Sequence, residues 1–188
     1  AGNHEFYNNG DIAAQGDSWQ NMFLPNVGYY HNKVVRIDNV DFILSTLWSR
    51  IPVVDEFAIQ NGMNDYSQIL YNKRRLIPQN INDEFEKNFA FIQQAVKESD
   101  AEEIVVVTHH LPTFSALEQR HVGDVLNAAY ATELGNYIAD SRISAWIYGH
   151  AHHSTGLMIG NTHLVSNPLG YVCFGENTGF NDSAVISI

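Results

Sequence analysis

The run Ile104-Val105-Val106-Val107 constrains this chain more than any other stretch. Four consecutive β-branched residues without polar alternation mark a strand covered on both faces, because a half-exposed strand alternates apolar and polar side chains. Cover on both sides means layers around a sheet. The run ends in Thr108-His109-His110-Leu111-Pro112, and a second apolar stretch, Trp146-Ile147-Tyr148, stops at Gly149 before His150-Ala151-His152-His153. A glycine at that point permits a tight or left-handed turn. Two strands thus deliver imidazoles at their carboxyl ends, and imidazoles at i and i+2 can face one ion or two adjacent ions. Histidines that merely cap a strand in a polar crevice are the other reading of an isolated Gly-His-x-His, so the rest of the chain has to decide.

Around these strands the pattern interleaves. Residues 83–97 form a helical stripe through Phe85, Phe89, Ile92 and Val96, with Asp83 and Glu86 spaced like a capping box; the stripe reads as core. Residues 33–37 and 41–47 read as a hairpin about Asp38-Asn39, and 156–159 with 163–166 as another about Gly160-Asn161. A helix over 132–139 turns Leu134 and Ile138 inward, with Tyr137 beside them. Residues 11–23 are loosely helical through Ile12, Trp19, Met22 and Phe23, closed by Pro25 and Gly28, and 184–188 alternate like a closing strand. Residues 45–71 lack periodicity and read as a long surface excursion, which makes Trp48, Tyr71, Arg74 and Arg75 candidates for a substrate wall. No repeat or linker interrupts the series, so residues 1–188 are expected to form a single α/β domain.

Composition narrows the function classes. The single cysteine, Cys173, excludes an internal disulfide and a thiolate zinc cluster, so a metal site must use nitrogen and oxygen ligands, and a reducing, cytoplasmic setting fits. A net charge of −11 disfavours extended nucleic-acid binding and anionic membrane surfaces. It leaves room for a small anionic substrate, because bound divalent cations invert the local field. No apolar run approaches the length of a membrane span.

The chain opens Ala1-Gly2-Asn3-His4-Glu5, an amide, an imidazole and a carboxylate where termini are usually chemically plain. It looks like the loop after a strand whose preceding residues are missing. Six of the nine histidines now fall into three clusters, at His4, at His109 with His110, and at His150 with His152 and His153. Each follows a real or inferred strand, and in α/β sheets ligands bind beyond the strands' carboxyl ends. Gly-Asn-His-Glu, then Thr-His-His, then Gly-His-Ala-His, in this order, resembles the calcineurin-like metallophosphoesterases. Asn26-Val27, Thr46-Leu47-Trp48 and Asn167-Pro168-Leu169-Gly170-Tyr171 look like connecting segments of a bacterial branch, so the resemblance covers nearly the whole chain.

The resemblance implies a four-layer α-β-β-α sandwich, incomplete here at its N-terminal side, and a centre of two divalent transition-metal ions. By motif, Asn3, His109 and His150 would bind one ion and His152 the other, while His4 would hydrogen-bond a phosphate oxygen or protonate the leaving group. His110 and His153 map onto no ligand and are expected behind or beside the site; His31, His121 and His163 have no motif. Imidazole and amide donors suit Mn, Fe, Zn or Ni without choosing among them. The family's Asp-x-His and Gly-Asp motifs lie on strands that precede Gly-Asn-His-Glu and are expected ahead of Ala1, which leaves His152 as the one motif ligand for its ion.

The expected activity is metal-dependent hydrolysis of a small phosphomonoester, phosphodiester or nucleotide. A phosphoprotein substrate is disfavoured, because Ala1 stands where the resembling protein phosphatases carry arginine. The alternatives are a non-catalytic scaffold or inactive fragment of this fold, and a structural zinc module, for which no closed set of four ligands is spaced.

Overall fold

The computed structural model describes residues 1–188. Short 3₁₀ turns at His4–Phe6 and Ala13–Gln15 precede β1 (Trp19–Leu24), β2 (Val27–His31), β3 (Lys33–Ile37) and β4 (Val40–Leu44). Then come α1 (Glu56–Gly62), α2 (Asp65–Gln68), the two-residue strands β5 (Leu70–Tyr71) and β6 (Arg74–Arg75), and the long α3 (Pro78–Glu98). The second half runs β7 (Glu103–Val107), α4 (Asn127–Tyr130), α5 (Gly135–Asp140), β8 (Ala145–Tyr148), β9 (Thr155–Ile159) and β10 (Thr162–Ser166).

Six strands form one sheet in the order β3-β4-β7-β8-β10-β9. The β4–β7, β7–β8 and β8–β10 pairs are parallel, and antiparallel hairpins close both edges. Register puts Ile43, Val106, Trp146 and Leu164 in one row across the four parallel strands, all fully buried in the helix-covered core. On the opposite face Val105 and Ala145 are buried too, so β7 is covered on both sides as its composition requires. The α/β arrangement expected from the sequence is the one observed.

Helix α3 begins earlier than its stripe suggests. Pro78 takes the first position, where the missing N–H goes unused, and the Ile77 N–H donates to Asn80 Oδ1 at 3.3 Å. Asp83 and Glu86 therefore lie inside the helix and do not cap it. The stripe is core, with Phe85 and Ile92 fully buried and Phe89 stacked on Phe85 at 5.7 Å. Both hairpins, 33–44 and 155–166, form where their turns place them.

Three expectations are overturned. Residues 19–31 are a hairpin, in which Pro25 and Asn26 make the turn and Phe23 meets Tyr29 edge to face at 4.9 Å. Residues 45–51 are no surface excursion: Ser45, Thr46, Leu47, Trp48, Ser49 and Ile51 are buried, and the excursion beyond them folds into α1 and α2. Residues 184–188 form no strand. The helix over 132–139 is confined to 135–140 with Leu134 and Ile138 inward, and Tyr137 meets Phe89 edge to face.

Trp146 ties this core to the site above it, since its indole N–H donates to Thr108 Oγ1 at 3.0 Å in the buried interior. Trp146→Phe removes that donor and part of the ring volume. It is expected to cost about 2 kcal/mol, seen as a lower urea midpoint with an unchanged m-value.

Candidate metal centre

Parallel register carries the second and third histidine clusters to one place. Val107 pairs with Ile147, the Thr108 N–H donates to the Ile147 carbonyl, and the Gly149 N–H donates to the His109 carbonyl at 3.1 Å. His109 and His150 are thereby set beside each other at the carboxyl ends of β7 and β8, where open α/β sheets place ligands. From the other side the Thr46 carbonyl accepts from both the His109 and His110 N–H groups, at 3.1 and 3.2 Å. His150 and His152 take up left-handed backbone conformations, with φ of 62° and 49°. Each such residue costs roughly 1–3 kcal/mol and persists only where its surroundings impose it.

Asn3 completes the cluster from the N-terminal 3₁₀ turn. Its Oδ1 lies 2.8 Å from His109 Nε2, which is 3.1 Å from His150 Nδ1. The approach depends on Gly2, because a Cβ there would stand 2.6 Å from the His109 ring. One His109 N–H would have to be shared between two acceptors, whereas a single cation satisfies three lone pairs at once. Ligands about 2.1 Å from one ion and at right angles are separated by about 3 Å, so the spacing fits one divalent cation. Burial pushes the His109 and His150 imidazoles well below their ordinary range, with neighbouring histidines adding to the effect, which keeps both neutral as metal ligands must be. His150 Nε2 is buried without a partner.

The second position is built differently. His152 Nδ1 faces Glu176 Oε2 at 2.8 Å, and the same oxygen accepts the Tyr171 N–H at 2.6 Å. That backbone hydrogen bond, helped by His152, holds the Glu176 carboxyl below the usual carboxylate range. Gly170, with φ of 65°, lets the segment turn inward, since a Cβ there would meet Glu176 Cβ at 2.7 Å. No three His, Cys, Asp or Glu side chains are so placed that together they could hold a metal ion. The donors therefore fit one ion at Asn3, His109 and His150, while His152 and Glu176 alone do not enclose another.

His4 stands across a cleft of about 400 Å³ whose walls include Asn3, His150, His152 and Glu176. Its ring stacks on Tyr7 at 4.3 Å, and its Nε2 lies 3.1 Å from the Tyr171 hydroxyl. Met63, Leu117 and Leu126 give the cleft an apolar side, and Arg120 and His121 stand at its rim. His121 is thus part of the cleft, which no motif indicated. His110 is buried beneath His150 with ring centroids 4.4 Å apart, and His153 faces Glu118 at 3.8 Å.

The proposed substrate wall is not one. Trp48 is buried against His110, Tyr71 donates to Glu84 at 3.0 Å beside Lys87, and Arg75 reaches Asn9 on the surface next to exposed Arg74; none lines the cleft. Sequence reading missed Glu176, Tyr171 as a contact of His4, and Asp65, whose carboxylate accepts the Asn3 Nδ2 hydrogen at 2.8 Å. The segment holding Tyr171 was singled out, but no periodicity pointed to the other two.

A family model described as calcineurin-like phosphoesterase matches residues 1–154, and the chain belongs to that family. Membership carries a phosphoesterase-type function. Over its whole length the chain is also similar to the protein named "Uncharacterized protein L509" of Acanthamoeba polyphaga mimivirus, 28% identical over 203 aligned residues that span 100% of this chain and 71% of that protein. No helix is long and apolar enough to cross a membrane.

Buried neutral histidines set an acid limit to stability. Burial pushes His31 down to about 4 and His110 to about 3, whereas an unfolded histidine titrates near 6.5. Below about pH 6.5 the unfolded chain binds protons that the folded one refuses, so stability falls with pH by up to ~1.4 kcal/mol per unit for each such histidine. The urea midpoint of metal-free protein should drop between pH 7 and pH 4.5. His31→Gln, which removes one titrating group outside the metal cluster, should make that drop shallower.

Proposed function

We propose that the chain acts as a metal-dependent phosphoesterase on a small phosphomonoester, phosphodiester or nucleotide. The convergence of Asn3 Oδ1, His109 Nε2 and His150 Nδ1 beside the His4 cleft carries this reading. Asn3, His109 and His150 would hold one divalent ion of the Mn, Fe, Zn or Ni group, and His152 with Glu176 would contribute to a neighbouring one. Such ions supply charge neutralisation on phosphoryl oxygens and a water nucleophile at neutral pH.

The chain's own groups do the rest. Burial keeps His109 and His150 neutral, so their lone pairs are available without displacing a proton. His4, exposed to the cleft, can hydrogen-bond a phosphoryl oxygen or deliver a proton to the leaving-group oxygen, and the Tyr171 hydroxyl and the Tyr7 ring orient it. The apolar side of Met63, Leu117 and Leu126 suits a compact ester group, and the net charge of −11 opposes a long polyanion. A metal-binding scaffold without turnover is the competing reading, favoured by the sparse donors around His152.

Turnover of bis(p-nitrophenyl) phosphate by the Mn-loaded protein decides between them. Phosphodiesterase activity lost on chelation is the expected result, and metal uptake without turnover would leave the scaffold. His4→Ala should lower kcat by roughly 10²–10⁴-fold with metal content unchanged, whereas His109→Ala should lose metal and activity together. Equal loss of metal in both variants would remove His4 from proton transfer.

A further inference from the structure

Asp65, the first residue of α2, is a buried carboxylate that forms no salt bridge. Its hydrogen-bonding neighbours are the Asn3 amide, whose Nδ2 lies 2.8 Å from Asp65 Oδ1, and the Tyr7 hydroxyl, which faces the same group. An unpaired buried carboxylate is costly unless it is hydrogen-bonded and a positive charge lies near. The position identified for a cation lies on the far side of the Asn3 amide.

A carboxylate only accepts hydrogen bonds, whereas an asparagine amide can present either its oxygen or its nitrogen to a given neighbour. With Nδ2 bound to Asp65, the planar amide has one remaining face, and Oδ1 points at His109 Nε2 at 2.8 Å. Turned the other way, the amide would set its hydrogens against the donors' common point and its oxygen against the Asp65 anion. Both contacts would be repulsive. Asn3 itself is buried, so water is not available to compensate.

We propose that Asp65 is a positioning residue that fixes the Asn3 amide with its oxygen toward the cation site and adds a negative charge behind it, an inference that rests on the metal-dependent reading above. Carboxylates that hold ligands from behind typically change metal affinity by ten- to a hundredfold. Asp65 acts here on an amide in the way such groups usually act on an imidazole. Its place in the chain, 62 positions from Asn3, ties the N-terminal turn to α2 across the back of the cluster.

The test compares wild type, Asp65→Asn and Asp65→Ala by calorimetric titration with Mn²⁺ and by the visible absorption of the Co²⁺-loaded forms. Asp65→Asn keeps the shape but loses the charge and the choice of amide face. It should bind Mn²⁺ about ten- to a hundredfold more weakly and shift the Co²⁺ bands, with its metal-free urea midpoint close to that of wild type. Wild-type affinity and spectrum in a folded Asp65→Asn would overturn the proposal, and so would weakened binding that only follows lost stability. If neither variant folds, the side-chain amide of Asn3 in ¹⁵N-labelled, Zn²⁺-loaded wild type gives the answer: one Nδ2 proton shifted downfield and protected from exchange with solvent supports it, and Nδ2 protons that exchange as fast as those of exposed asparagines refute it. Failure of the wild type itself to bind Mn²⁺ or Co²⁺ would instead sink the metal-dependent reading, and the role of Asp65 with it.

Discussion

The parallel pairing of β7 with β8, with Val107 opposite Ile147, fixes the spacing on which the whole carboxyl edge of the sheet depends. β7 presents His109 two positions past that pair and β8 presents His150 three positions past it, and the Gly149 N–H bonded to the His109 carbonyl carries the register into the loops. A slip of one residue would turn every side chain of the strand to the other face, driving Trp146 into the space where the small Ala145 is packed. The apolar core thus enforces the alignment of the site. Above that core the link is direct, since Trp146 donates to Thr108 Oγ1 and Thr108 Oγ1 donates to the His110 carbonyl.

The edge of the sheet holds a crowd of bases that remain compatible because burial discharges them. His109, His110 and His150 lie with ring centroids 4.4 to 5.2 Å apart, an arrangement that three imidazolium ions could not tolerate. Neutral rings pack instead as flat polarisable bodies against Tyr130 and Trp48. A cation entering from the cleft would meet lone pairs and, behind them, the unpaired charge of Asp65.

What could be read in the sequence follows from how each feature is encoded. Strands ending in histidine are local signals, and so are the two hairpins with Asp-Asn and Gly-Asn turns; the places of His109 and His150 were legible because each follows such a strand, whereas Asn3 was marked only by Gly-Asn-His-Glu at the start of the sequence. The β1–β2 hairpin was not, because Met22, Phe23 and Leu24 follow one another on a largely exposed strand and give no alternation. Residues 45–51 carry a mixed polar composition, yet they are buried because Thr46, Ser45 and Ser49 find hydrogen-bond partners inside the fold. Asp65 and Glu176 acquire meaning only from partners 62 and 24 positions away. No local pattern announces such a contact.

The separations within the site have a kinetic consequence. Asn3 meets His109 across 106 positions, and His4 meets the Tyr171 hydroxyl across 167. Contacts of that span close large loops and form late. During synthesis, which proceeds from the N-terminus, Asn3 and His4 leave the ribosome long before the residues they will face. The cluster of Asn3, His109 and His150 is therefore not assembled until β8 has docked, and the His4 side of the cleft is finished only once Tyr171 has emerged.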